Sequence, residues 1–170
     1  MHRSFLLLLL FASPAFAQDS ESAARTAAGC GPSATHFDVT IDKKQHPAPA
    51  PESGKAIVFV VEDIYRGPTM KVGLDGAWVG ANKGKSYFYF SVDPGEHHLC
   101  TNWQSAVFKQ TAKRIGSATT IVTEADKTYY FRIMIDGESA SQNIKLSPVE
   151  KAEAQFLIAA SPLSSSHPNK

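Results

Sequence analysis

From Glu96 to Cys100 the chain reads Glu-His-His-Leu-Cys, so two imidazoles and one of only two cysteines fall within four residues. Three chemistries use such groups. His98 and Cys100 could ligate copper or zinc, because a thiolate with an imidazole suits both metals. A cysteine beside a histidine could instead serve as a nucleophile with its base. Cys100 could also be half of a disulfide whose other half is Cys30.

Strand geometry sorts these options, because successive residues of a strand point to opposite faces. Leu99 and Trp103 mark the core face and take His97 with them, which leaves Glu96, His98, Cys100 and Asn102 on the outer face. The two histidines are therefore not expected to act together. His97 is expected at the rim of the fold, its ring bonded to a loop carbonyl. A structural zinc wants four ligands, and no C-x-x-C or H-x-x-x-H pattern supplies them; His36 and His46 would join only by folding back. No metal and no cofactor is expected. A catalytic thiol needs a free thiolate, which oxidation removes from an exported protein with two cysteines. The expected outcome is a Cys30–Cys100 disulfide that pins an N-terminal arm to the outer face.

Export itself is read from the first residues, MHRSFLLLLLFASPAFAQ. A short basic start, an apolar run from Phe5 to Phe11 and the small-x-small site Ala15-Phe16-Ala17 form a signal peptide over 1–17, leaving Gln18 as the mature N-terminus. That run is much shorter than the roughly 20 residues of a membrane span, and no second one follows. Arg3 is the only charged residue of the leader, so 16 basic and 16 acidic residues remain. Such a balance offers no electrostatic footprint for nucleic acid or an anionic membrane. The expected location is periplasmic or extracellular.

Residues 18–53 read as an N-terminal arm and strut. HFDVTID alternates Phe37, Val39 and Ile41 against polar partners, and the prolines of KKQHPAPAPESG favour an extended, semi-rigid spacer. A domain follows over 54–160. KAIVFVVED is apolar on both faces and reads as a central strand. Asp75-Gly76 predicts a type I′ hairpin. SYFYFSV turns at Asp93-Pro94-Gly95 into EHHLCTNW, expected as its antiparallel partner, and ATTIVT is expected to pair with KTYYFRIMID. QNIKL is a last strand. Ser147-Pro148-Val149-Glu150 reads as a helix start with a capping box, and Val149, Ala152, Phe156 and Ala159 as its buried face. Residues 161–170 read as a mobile tail. The fold class is mainly β, an antiparallel β-sandwich of about seven or eight strands with one C-terminal helix.

The hairpin residues Asp75, Gly76, Val79 and Gly80, then Tyr87, the turn Pro94-Gly95, His97 and the late strand Tyr129 to Ile133, form a recognisable pattern. Over residues 54–160 the chain resembles an uncharacterised family of exported bacterial β-sandwich domains found in envelope proteins and lipoproteins, itself similar to P-E-G-A-type domains. The resemblance implies a scaffold or wall-associated module and supplies no catalytic residues.

Function is expected in one of two classes. The first is a non-catalytic envelope module that docks on an envelope protein or cell-wall component. The alternative is a small-ligand or glycan binder, with Tyr87, Tyr89 and Tyr130 exposed on one outer sheet. No enzyme is expected. There is no G-x-S-x-G elbow, H-E-x-x-H pair or phosphate-cradling loop, and Asp63, Asp75, Asp93 and Asp136 sit where turns and strand ends favour aspartate. The loop carrying Lys109, Lys113 and Arg114 is expected to be merely solvated.

Overall fold

The structure, a computed structural model, describes residues 30–32, 34–104, 116–136 and 143–169. The expected signal peptide, its expected cleavage site and the basic loop at 109–114 lie outside those residues.

Strand β2 (Ala56–Glu62) is buried along its whole length, as its two-sided apolar sequence requires. It pairs antiparallel with β5 (Ser86–Val92) and parallel with β8 (Thr128–Asp136). Around this trio, β9 (Asn143–Pro148), β10 (Leu163–Pro168) and β1 (Phe37–Asp42) complete a six-stranded sheet in the order β1-β10-β5-β2-β8-β9. A four-stranded sheet follows the order β4-β3-β6-β7, built from β3 (Thr69–Leu74), β4 (Ala77–Lys83), β6 (Gly95–Trp103) and β7 (Ser117–Thr123). Alternation along β2 divides the core in two. Ala56, Val58 and Val60 meet Met70, Val72 and Leu99 of the smaller sheet. Ile57, Phe59 and Val61 face the other way, towards Leu157 and Ile158 of helix α1 (Lys151–Ala159). Two sheets share one core and the helix covers the far face of the larger, an arrangement consistent with a β-sandwich. The described strands number ten, not seven or eight.

The β3–β4 turn is as expected. Leu74 pairs with Ala77, and both Asp75 (φ 50°) and Gly76 (φ 83°) take the positive φ of a type I′ turn. The two other expected hairpins do not form. β5 and β6 lie in different sheets, as do β7 and β8, so the turns at 93–95 and 124–126 carry the chain across the core. Both edges of β5 are taken by β2 and β10, and both edges of β8 by β2 and β9. Phe88 and Val92 then approach Leu99 from opposite sides of one core.

Both chain ends also differ from expectation. Residues 163–168 are not a loose tail but β10, paired over six positions with β1. Its serines explain why a polar segment is held. Buried Ser164 donates to the carbonyl of Ala81 (2.8 Å), and the Ser166 hydroxyl accepts from the N–H of Ala81 (2.9 Å), tying the strand to β4. β1 consequently lies in the sheet at its edge and does not cover an outer face. Gln104 brackets Phe37, accepting from its N–H and donating to its carbonyl, each at 2.7 Å.

The helix begins later than the capping signal indicates. Ser147 and Pro148 close β9, paired with Arg132 and Phe131, and the N-cap is Glu150, with no side-chain capping bond. The buried face is Ala154, Leu157 and Ile158. Phe156 is 73% exposed. Ala154, Leu157 and Ile158 form their own i, i+3, i+4 stripe, and it is this aliphatic set that turns to the sheet.

Candidate functional site

β6 carries the histidine–cysteine cluster. Cys100 points outward and is bonded to Cys30, with Cα atoms 5.7 Å apart, within the usual disulfide range. Cys30, Pro32 and Thr35 of the arm lie on the outer face of the four-stranded sheet. Trp78 Nε1 donates to Pro32 O and Lys71 Nζ to Thr35 O, each at 2.8 Å, and the Lys71 ammonium sits 4.3 Å from the Trp78 ring centroid. Gly73 lies directly beneath, where any side chain would strike the carbonyl of Cys30. Burial lowers the pKa of Lys71.

His97 sits at the rim, its side chain 13% exposed. Its Nδ1 is 2.7 Å from Asp75 Oδ2 and its Nε2 is 2.8 Å from Asp93 O. Both partners are acceptors, and only the imidazolium can donate to both at once. The hydrogen bond with Asp75 accordingly holds the pKa of His97 above its ordinary value, against a smaller opposing effect of burial. Burial alone would raise the pKa of Asp75, but bonds from His97 and from the backbone N–H of His98 (2.8 Å) hold it below the carboxylate norm. The loop-carbonyl bond is as expected, and Asp75 is an additional partner. The separation of the histidines is less complete than alternation suggests. The turn at Asp75 wraps the end of β6, so His98 Nδ1 also comes within 3.9 Å of Asp75 Oδ1. Among the described residues no group of three or more His, Cys, Asp or Glu side chains is placed to hold a metal.

The tyrosines share one face of the six-stranded sheet, as alternation predicts, but that face is covered. Tyr87 is fully buried, its hydroxyl donating to Pro47 O at 2.9 Å, and burial pushes its pKa up to about 12. Tyr89 and Tyr130 flank Phe59, with ring centroids 5.3 and 5.5 Å away. Part of the cover is the proline strut. Instead of spanning open space, it lies against the sheet, held by Tyr87 at Pro47 and by His46 Nδ1, 2.8 Å from Ser161 O. Between the strut and helix α1 runs a groove of about 410 Å³, walled by Ala48 to Pro51 on one side and by Gln155, Ile158 and Ala159 on the other, with Phe59 and Tyr130 as its floor. A second depression of about 430 Å³, lined by Tyr129, Pro148 and Glu150, shares Thr128, Tyr130 and Lys151 with it. Beside the helix, Arg132 donates to Glu153 at 2.9 Å and pairs with Asp63.

Two features escape the sequence reading. The groove joins segments about a hundred residues apart, and no local pattern encodes it. Glu62 is the other. It continues the parity of Val58 and Val60, so it points into the core; it is fully buried, and neither carboxyl oxygen has a hydrogen-bond partner among the described residues. Burial raises its pKa to about 9, and the neutral acid is the form present at pH 7. Nearby, Asn82 donates to Val60 O and Ser86 O, while its own oxygen has no partner among the described residues. The only signal in the sequence is that parity.

No protein-family model, curated protein or solved structure matches the chain. No helix of the described residues is long and apolar enough to cross a membrane.

Proposed function

We propose that the chain is an exported, non-catalytic interaction module that docks on an envelope protein or cell-wall component through the groove between its proline strut and helix α1. The observation that carries this reading is the groove itself. Its walls come from a strut fastened at His46 and Pro47 and a helix packed by Leu157 and Ile158, so a partner would meet a preformed surface. Preorganisation of this kind removes ordering costs on binding. The floor supplies aromatic area from Phe59 and Tyr130, and Gln155 and Lys151 supply polar contacts at the edge.

The ionisable groups support a non-catalytic role. Both nitrogens of His97 are engaged, Cys100 is bonded, and Glu62 is sealed from solvent. The disulfide is compatible with an oxidising location, and the resemblance of residues 54–160 to exported bacterial β-sandwich domains points the same way. A sugar-stacking platform is less well supported, because Tyr87 is buried and Tyr89 and Tyr130 spend ring area on Phe59.

The test places a photo-crosslinking residue at Gln155 in the exporting cell. A discrete adduct that is lost on Ala159→Arg, which fills the groove, is the expected result. Absence of any adduct at Gln155, with a soluble glycan protecting Tyr130 instead, would replace this reading with the ligand-binding one.

A further inference from the structure

Each sheet of this fold ends in two edge strands, and an edge left bare is a template for pairing with another chain. Three of the four edges are blunted. β1 carries Asp38 and Asp42, and β9 carries Lys145 and ends at Pro148. β4 ends in Lys83, is tied to Ser164 and Ser166 through Ala81, and has Pro32 bonded to its Trp78. β7 differs. Its sequence Ser-Ala-Thr-Thr-Ile-Val-Thr has no charge, no proline and no glycine, and five of its seven residues, Thr119 to Thr123, are β-branched. One edge pairs with β6. On the other, among the described residues, β9 of the larger sheet lies alongside, the Ser117 hydroxyl accepting from Leu146 N–H at 3.1 Å, but no strand is laddered to residues 118–123. Val122 on the outer face is 65% exposed.

We propose that β7 is a self-association edge, on which a second copy of this chain pairs antiparallel about a two-fold axis at Thr120. The two four-stranded sheets would then join into one continuous sheet. A second copy fits because the strand complements itself. Pairing about Thr120 sets Thr120 opposite Thr120, Val122 opposite Ala118, and Ile121 opposite Thr119. The parity of the faces is preserved, so Ile121 remains inward and Val122 outward, and threonine and β-branched pairs of this kind stabilise a ladder. A closed two-fold arrangement uses the same patch on both copies.

Electrostatics also permit it. On the neighbouring strand β6, His98 lies beside Thr120 and Glu96 beside Val122, and Glu124 follows the end of β7, away from the axis. Across the axis, His98 and its symmetry mate would be three strand spacings apart, roughly 14 Å. That exceeds the screening length of about 8 Å at physiological salt, so no like-charge repulsion opposes docking. A ladder of one strand is a small interface and gives a weak, concentration-dependent dimer. This edge belongs to the four-stranded sheet and is independent of the groove reading.

The experiment is sedimentation velocity on the oxidised protein over a wide concentration range. A reversible monomer–dimer equilibrium is expected. Val122→Lys and Thr120→Lys, both at exposed sites and so compatible with folding, should each weaken it at least tenfold, while the uncharged Val122→Thr should retain it. Thr120→Cys should cross-link to a covalent dimer under oxidising conditions, because the two copies meet at that residue. A wild-type protein that remains monomeric throughout, or a dimer indifferent to both lysine variants, overturns the proposal. So does a Thr120→Cys protein that stays monomeric while oxidised.

Discussion

A carboxyl group at the inner end of β2 must either shed its charge or find a cation, and Glu62 has no cation within bonding reach among the described residues. Its pKa, raised by burial to about 9 from 4.5, couples folding to pH. The unfolded chain releases this proton above about pH 4.5 and the folded chain keeps it, so Glu62 lowers stability as pH rises between the two values. Glu62→Gln, a neutral group of the same shape, should therefore stabilise the protein at pH 7 by up to about 3 kcal/mol. The gain should vanish below about pH 4, where both proteins are neutral at this site. Denaturant unfolding at several pH values reads this directly; parallel stability profiles for the two proteins would show that the carboxyl is solvated. His97 and Asp75 carry the opposite pattern. The raised pKa of His97 and the lowered one of Asp75 keep both groups charged beyond the ordinary carboxylate and imidazole ranges at either end, and the pair's stabilisation is full between those ordinary ranges. Raising the pH through the first removes one charge, and lowering it through the second removes the other. Asp75→Asn should bring the His97 titration, followed by NMR of the ring, down towards its ordinary position. Asp75 is 45% exposed, so solvent screening keeps the stability effect small.

At the scale of elements, the serines of β10 have the most to do for their size. Ser164→Ala removes a buried hydroxyl and leaves Ala81 O without that donor, which should cost about 1–2 kcal/mol. Deleting residues 161–170 should cost far more, because β1 then loses its partner along all six paired positions; thermal unfolding distinguishes the two. These segments also show where sequence reading stops. The Asp75-Gly76 turn is legible because two positive φ angles demand those residue types, and β2 because the first six of its seven buried positions, Ala56 to Val61, form an unbroken apolar run. β10 is not, since a row of serines has no hydrophobic period and its partners on β4 are distant in sequence. The crossings at 93–95 and 124–126 look like hairpins locally, and only the occupancy of both edges of β5 and β8 decides otherwise. The disulfide is readable from two cysteines and one face rule, whereas the alternation that puts the tyrosines on one face carries no sign of the strut and helix that cover it, and Tyr87 is buried where exposure is expected.

For the molecule as a whole, the bond between Cys30 and Cys100 closes a loop of 70 residues and, in the chain-entropy account, should stabilise the fold by about 4 kcal/mol. The Cys30→Ser/Cys100→Ser protein should show that loss in denaturant unfolding. The segment from Cys30 to Thr35 should then become open to protease, while the groove, on the far face of the other sheet, should keep its crosslinking. Equal stability of the two proteins would mean that the contacts of Trp78 and Lys71 already hold the arm in place.

The pairing of β1 with β10 joins Phe37 to Pro168, nearly the full length of the described chain. If the chain is exported as proposed, delivered N-terminus first, it cannot finish its larger sheet until β10 arrives. Until then β1 has no neighbour and β5 has one edge bare, both hazards for aggregation. Cys100 emerges some sixty residues before Leu163, so the disulfide can close while β10 is still in transit. The bond then acts as a tether in time: it keeps the first strand beside the growing fold until the final one arrives to receive it.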